Sequence, residues 1–133
     1  MPRTFTYAVS VDRDWRATSD EGGTPIPHEE AWSPEHLVLA AVARCTLASL
    51  RFHARRDGLE LKASAEARGS VTKRSSDDRY AFAELAIDLD ATLEPVPENV
   101  RELLALAERD CFVGASLTVA PEYRWVVNGE QVR

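Results

Sequence analysis

Apolar positions along this chain follow two different periods. Between Ser33 and Asp57 the sequence reads SPEHLVLAAVARCTLASLRFHARRD, and Leu37, Ala41, Cys45, Ala48 and Phe52 recur at spacings of four, four, three and four, the repeat of one face of an α-helix. On that reading Cys45 faces whatever the helix packs against. Ser33 is a good N-cap, Pro34 fits the first helical position because its missing N–H would be unpaired there, and Glu35 sits where the helix dipole favours negative charge. Trp32 and Leu37 are placed to form a hydrophobic staple over the first turn. Arg51, His53, Arg55 and Arg56 load the last turns with positive charge, and Asp57-Gly58 ends the pattern.

Elsewhere the period is two. Phe5 to Val11 sets Phe5, Tyr7, Val9 and Val11 against Thr6, Ala8 and Ser10, which predicts a strand with one buried face. Asp12 to Arg16 is a charged turn around Trp15, and Ala17 to Ala31, with Gly22-Gly23, Pro25 and Pro27, reads mainly as loop. Leu59 to Val71 alternates Leu59, Leu61, Ala63, Ala65 and Ala67 against polar residues, KRSSDDR turns the chain, and Tyr80 to Leu93 places Leu85, Ile87, Leu89, Ala91 and Leu93 on one side. This predicts a long hairpin with one wet face. Pro95 and Pro97 break it and open a second helix on which Val100, Leu103, Leu104, Ala107 and Cys111 share a face. Both cysteines are thereby expected on buried helical faces. Gly114 marks the exit, and Leu117 to Val127 is a last strand region before a polar tail. Strand, loop, long helix, hairpin, helix, strand is an α+β order. The alanines at 40, 41, 43 and 48 would let a second copy of the long helix approach closely, so a homodimer is expected.

A length of 133 residues fits one domain spanning residues 1–133. The net charge of −6 argues against nucleic acid or an anionic membrane as the main partner. No uninterrupted apolar run has the length of a membrane span and the N-terminus lacks a signal-peptide pattern, so the expected location is cytoplasmic. In that compartment Cys45 and Cys111 are not expected to form a permanent disulfide; they are either inert packed thiols or redox-active ones. His28, His36 and His53 lack ligand-like spacing and no C-x-x-C is present, so neither metal nor other cofactor is expected.

A thiol attacks as thiolate, and apolar surroundings raise its pKa unless a cation or donor compensates. A reactive Cys45 therefore needs an arginine: Arg16 or Arg13 in the turn after the first strand, or Arg44, which points about 100° round the helix. Glu35 could orient such an arginine through a bidentate pair. Ten residues of straight helix, however, separate Glu35 from Cys45 by roughly 15 Å. Either the helix breaks or Glu35 serves the Cys45 of a second subunit. Beside this stands the plain reading, in which the thiols only pack, Glu35 is a helix-end charge, and Arg13 and Arg16 are solvated.

The combination SPEHLVLAAVARC, a hairpin and then AERDCFVGASL resembles the OsmC/Ohr family of thiol peroxidases: a Pro-Glu-x-Leu helix start, a cysteine ten residues after the glutamate, and a second cysteine at the end of a later helix. The resemblance implies antiparallel sheets wrapped around two central helices in an intertwined homodimer, and reduction of organic hydroperoxides with reset by an external dithiol. It implies that Cys45 is the peroxidatic cysteine, Cys111 the resolving one, and Glu35 the carboxylate that holds the catalytic arginine, for which Arg16 falls nearest and Arg13 is the reserve. Leu37, Ala41 and Phe52 would then line an apolar substrate pocket. Two alternatives share the scaffold: a non-catalytic protein that binds a hydrophobic small molecule, and a thiol redox sensor.

Overall fold

The computed structural model describes residues 2–133. Its elements in chain order are β1 (Val9–Val11), β2 (Ala17–Ser19), α1 (Pro34–Arg56), β3 (Glu60–Lys73), β4 (Tyr80–Glu94), α2 (Val100–Arg109), α3 (Phe112–Ser116), β5 (Glu122–Val127) and β6 (Glu130–Val132). The expected α+β class is observed. The chain divides into two compact units, Met1–Leu37 and Val38–Arg133.

In the first unit β1 and β2 pair antiparallel, Val9 opposite Ser19 and Val11 opposite Ala17, and Ala17 also bridges Ile26. The strand predicted over Phe5 to Val11 is therefore regular only from Val9. Its partner is three residues long, so Phe5 and Tyr7 lie before the paired stretch, and both side chains are exposed. At the connecting turn the Asp12 carboxylate accepts the N–H groups of Asp14 and Arg16 at 2.9 and 3.0 Å. None of the described residues of this unit is buried. Ser33 caps α1 as expected: its Oγ accepts the His36 N–H at 3.2 Å and its carbonyl accepts the Leu37 N–H at 3.0 Å.

The second unit is built on a sheet in the order β3-β4-β5-β6. β3 and β4 form the predicted hairpin, from Glu60 opposite Glu94 to Lys73 opposite Tyr80, with a bulge at Ser70/Val71. β4 and β5 run parallel, which requires a crossover between them; α2 and α3 supply it. β6 occupies what reads in the sequence as a polar tail. Asn128 and Gly129, with φ of 50° and 82°, turn the chain back in two residues, the conformation that Asn-Gly favours. The Asn128 side chain accepts the Leu93 N–H at 2.9 Å and donates to the Leu93 carbonyl at 3.2 Å, tying the turn to the end of β4.

One core unites the sheet and helices. Leu85, Ile87, Leu89, Ala91 and Leu93 of β4 point into it as predicted, with Trp125 and Val127 of β5, Leu103, Leu104 and Ala107 of α2, Val42, Leu50 and Ala54 of α1, and Cys111. The buried face of α1 is thus Val42, Thr46, Ser49, Leu50, His53 and Ala54. This corrects the expected strip: Leu37, Ala41, Ala48 and Phe52 are exposed, and Cys45 lies half-buried at the border between the faces. The sheet takes the side with the larger Val42 and Leu50, whereas the expected strip is mostly alanine. By length and a mean hydropathy of 1.3 over its best window, α1 could cross a membrane; here its Val42, Leu50 and Ala54 are spent on the protein core.

Candidate functional site

The two thiols meet where α1 passes the junction between α2 and α3. Cys111 is not on a helical face, as the sequence suggested, but between helices: α2 ends at Arg109, Asp110 caps it, and Cys111 is the N-cap of α3. Its Sγ accepts the Gly114 N–H at 3.4 Å, lies 3.5 Å from Thr46 Oγ1 and 3.9 Å from the Val42 carbonyl, and is fully buried. Cys45, one residue before Thr46, is only half-buried, and both thiols are free.

The first turn of a helix leaves N–H groups without intrahelical partners. In α3 that of Gly114 goes to Cys111, and those of Val113 and Phe112 lie near enough to Cys45 to favour its thiolate. Burial pushes the Cys45 thiol above its ordinary range, the Val113 N–H pulls it down, the neighbouring Cys111 thiol pushes it up, and the Phe112 N–H pulls it down; the net shift is upward.

Four residues shape the surroundings of Cys111. Thr46 Oγ1 donates to the Val42 carbonyl at 2.8 Å. Tyr123, on β5, has its hydroxyl in the neighbourhood of Thr46 and Cys111; burial and the nearby Cys111 push it up to about 12. Gly114 makes room for this meeting, since a Cβ there would sit 3.0 Å from the Tyr123 hydroxyl and 3.3 Å from Cys111 Sγ. His53, 2% exposed, places Nε2 2.8 Å from Asp110 Oδ2 and so pins the residue before Cys111 to α1. Thr46 and Tyr123 were not singled out from the sequence, and Gly114 was read only as the exit from the second helix. The available signal was the alternation Tyr123, Trp125, Val127, which turns Tyr123 to the core side of its strand, and the spacing of Val42 and Thr46, which shares one helical face.

The remaining expected residues are described each in its own surroundings. Arg16 Nε pairs with Asp12 at 3.0 Å and its Nη2 with Asp14 at 3.9 Å, both within its own turn. Arg13, in the same turn, and Arg44, on α1, are exposed. Glu35 stands in the first turn of α1, and that helix continues unbroken to Arg56. Ten residues at helical rise keep Glu35 roughly 15 Å from Cys45 of its own chain. Leu37 lines a hollow with Trp15, Ile26 and Trp32, Phe52 lines another with Ala48, Arg51 and Arg55, and Ala41 is exposed. Among the described residues no group of three or more His, Cys, Asp or Glu could hold a metal ion.

An α+β fold in which a long helix presents one thiol to a second, buried thiol at the head of a later helix defines a class of two-cysteine proteins. The chain belongs to the OsmC-like protein family, whose pattern it matches over residues 27–125. Solved structures agree in fold. An OsmC-like protein from Vibrio cholerae has a TM-score of 0.74 at 11% identity, over 92% of this chain and 100% of its own. One from Mycoplasma pneumoniae gives 0.71 at 14%, over 96% and 99%. The organic hydroperoxide resistance protein OhrB of Bacillus subtilis gives 0.58 at 22%, over 93% and 98%. No curated protein matches the chain in sequence.

Proposed function

We propose that this protein is a thiol peroxidase that reduces organic hydroperoxides. The observation that carries the reading is the meeting of a half-buried Cys45 with a fully buried Cys111, an arrangement in which one sulfur can receive a substrate and the other can only react with its neighbour. Membership of the OsmC-like family and fold likeness to proteins called organic hydroperoxide resistance proteins support it. The Cys45 thiolate attacks the distal oxygen of the hydroperoxide, the O–O bond breaks, and the alkoxide leaves with a proton as alcohol. Cys45 becomes a sulfenic acid. The Cys111 sulfur then attacks the Cys45 sulfur, the S–S bond forms and water departs; an external dithiol reduces the disulfide and is itself oxidised.

The thiolate needs more than two N–H groups to offset burial, and the cation we assign is Arg16, with Arg13 in reserve and Glu35 as its holder. Because Glu35 stands far along the helix from the Cys45 of its own chain, we assign it to the Cys45 of a second copy. A homodimer also accounts for the apolar side chains the single chain exposes: Tyr7, Val9, Val11, Trp15, Ile26 and Trp32 of the first unit, and Leu37 and Phe52 of α1, are all at least 40% exposed. Dimerisation would enclose Leu37, Ala41 and Phe52 as the apolar lining that favours organic over hydrogen peroxide. Cys45→Ser should abolish consumption of cumene hydroperoxide in the presence of a dithiol; retained consumption would sink the proposal.

The upward shift of Cys45 favours one second reading, a binding protein with silent thiols and a hydrophobic ligand. It predicts that Cys45 alkylates at pH 6 no faster than an ordinary thiol.

A further inference from the structure

The peroxidase reading leaves open how Cys111 becomes a nucleophile. A fully buried sulfur that attacks a sulfenic acid must lose its proton and build negative charge where no water reaches it, so hydrogen-bond donors aimed at the sulfur set the rate. The Gly114 N–H supplies one, at 3.4 Å. Thr46 Oγ1 is 3.5 Å away, but its single proton has a better acceptor in the Val42 carbonyl at 2.8 Å. That leaves the Tyr123 hydroxyl. It shares this neighbourhood with Thr46 and Cys111, and it flanks Gly114 together with the sulfur, a Cβ there lying 3.0 Å from the hydroxyl and 3.3 Å from Sγ.

We infer that Tyr123 is a catalytic residue of the resolving step, its hydroxyl donating to Cys111 Sγ as that sulfur attacks the Cys45 sulfenic acid. In the reduced protein the hydroxyl can rest on Thr46 Oγ1, which already donates onward to Val42; as charge builds on Cys111, rotation about one C–O bond moves the donor from oxygen to sulfur. The phenol keeps its proton throughout, consistent with burial holding it neutral far above physiological pH. The proton of Cys111 leaves with the hydroxyl of the sulfenic acid as water, so Tyr123 stabilises charge and is not consumed. Gly114 belongs to the same device: its lack of a side chain leaves open the space between tyrosine and cysteine, where a Cβ would crowd both. The inference rests on the peroxidase reading and concerns only its second chemical step.

The test separates the two steps. Wild type and Tyr123→Phe, which keeps the ring, are mixed with cumene hydroperoxide with and without dimedone, which captures the sulfenic acid, and sampled by intact mass. Sulfenic acid should form on Cys45 at the wild-type rate in the variant, while disulfide formation slows by roughly 10- to 100-fold, the loss of one hydrogen bond to a charged group, and the dimedone adduct rises accordingly. Gly114→Ala, which retains both groups but forces them apart, should slow the same step. A wild-type partition between adduct and disulfide in both variants would overturn the inference while leaving the peroxidase intact, as would equal slowing of both steps. Absence of any Cys45 oxidation in the wild type would instead overturn the peroxidase reading, and this inference with it.

Discussion

Cys45 and Cys111 are separated by 65 residues of sequence and brought together by α1 and the α2–α3 junction, yet their surroundings differ in kind. Cys111 has donors or hydroxyls on three sides, from Gly114, Thr46 and Tyr123, whereas Cys45 has two N–H groups set against burial and a second thiol. That imbalance is what an arginine would correct. The sign follows from the chemistry: burial disfavours the thiolate, so without a cation Cys45 ionises only above the ordinary thiol range, and a guanidinium brings ionisation down into the neutral range. Arg16→Ala should therefore slow iodoacetamide alkylation of Cys45 at pH 6 by at least about tenfold, one pKa unit of lost thiolate, with the rate recovering as pH rises. An unchanged rate would move the assignment to Arg13. The cysteines and the charged candidates were legible in the sequence because each residue type carries its chemistry. Tyr123 and Thr46 were not, because their part depends on contacts from β5 and α1 that no local pattern reports.

The elements followed their periods wherever a long ladder or a long helix enforces them. The β3–β4 hairpin, the inward set Leu85 to Leu93, and the cap at Ser33 all appear where alternation and capping chemistry put them. Two elements did not. The first strand shortens to Val9–Val11 because β2 offers only three residues to pair with. The last hairpin hides in a tail that is polar but contains Asn128-Gly129, the dipeptide that needs no help to adopt positive φ at two successive positions. Its weight can be measured. Asn128→Ala loses both side-chain bonds to Leu93 and strains φ at 50°, whereas Asn128→Gly loses only the bonds. Urea unfolding should show the alanine variant destabilised by about 2 kcal/mol and the glycine variant by less; equal losses would mean that the positive φ costs nothing there. The helix α1 carries a different lesson. Apolar residues lie on two sides of it, so helical spacing alone does not say which side the sheet will take, and the sheet took the side of Val42 and Leu50.

At the scale of the whole molecule the proposed homodimer rests on the exposed apolar side chains of α1 and of the first unit. Phe52, 65% exposed at the end of the α1 strip, should be covered in that dimer. Phe52→Glu should lower the mass seen by light scattering from two chains towards one at micromolar concentration, with the helical circular dichroism retained; a wild-type protein that is already monomeric would remove the reason for placing Glu35 beside the second copy's Cys45. The family and its fold were legible from the spacing of two short motifs around the cysteines, but assembly was not, since the sequence shows which faces are apolar and not what meets them. The central claim is the Cys45–Cys111 cycle, and intact mass with a free-thiol count after one equivalent of cumene hydroperoxide addresses it most directly. Wild type should lose two hydrogens and both free thiols within seconds, and Cys111→Ser should gain one oxygen on Cys45 and stop there. Two unreacted thiols after minutes would contradict the account and leave a scaffold that keeps the fold without the chemistry.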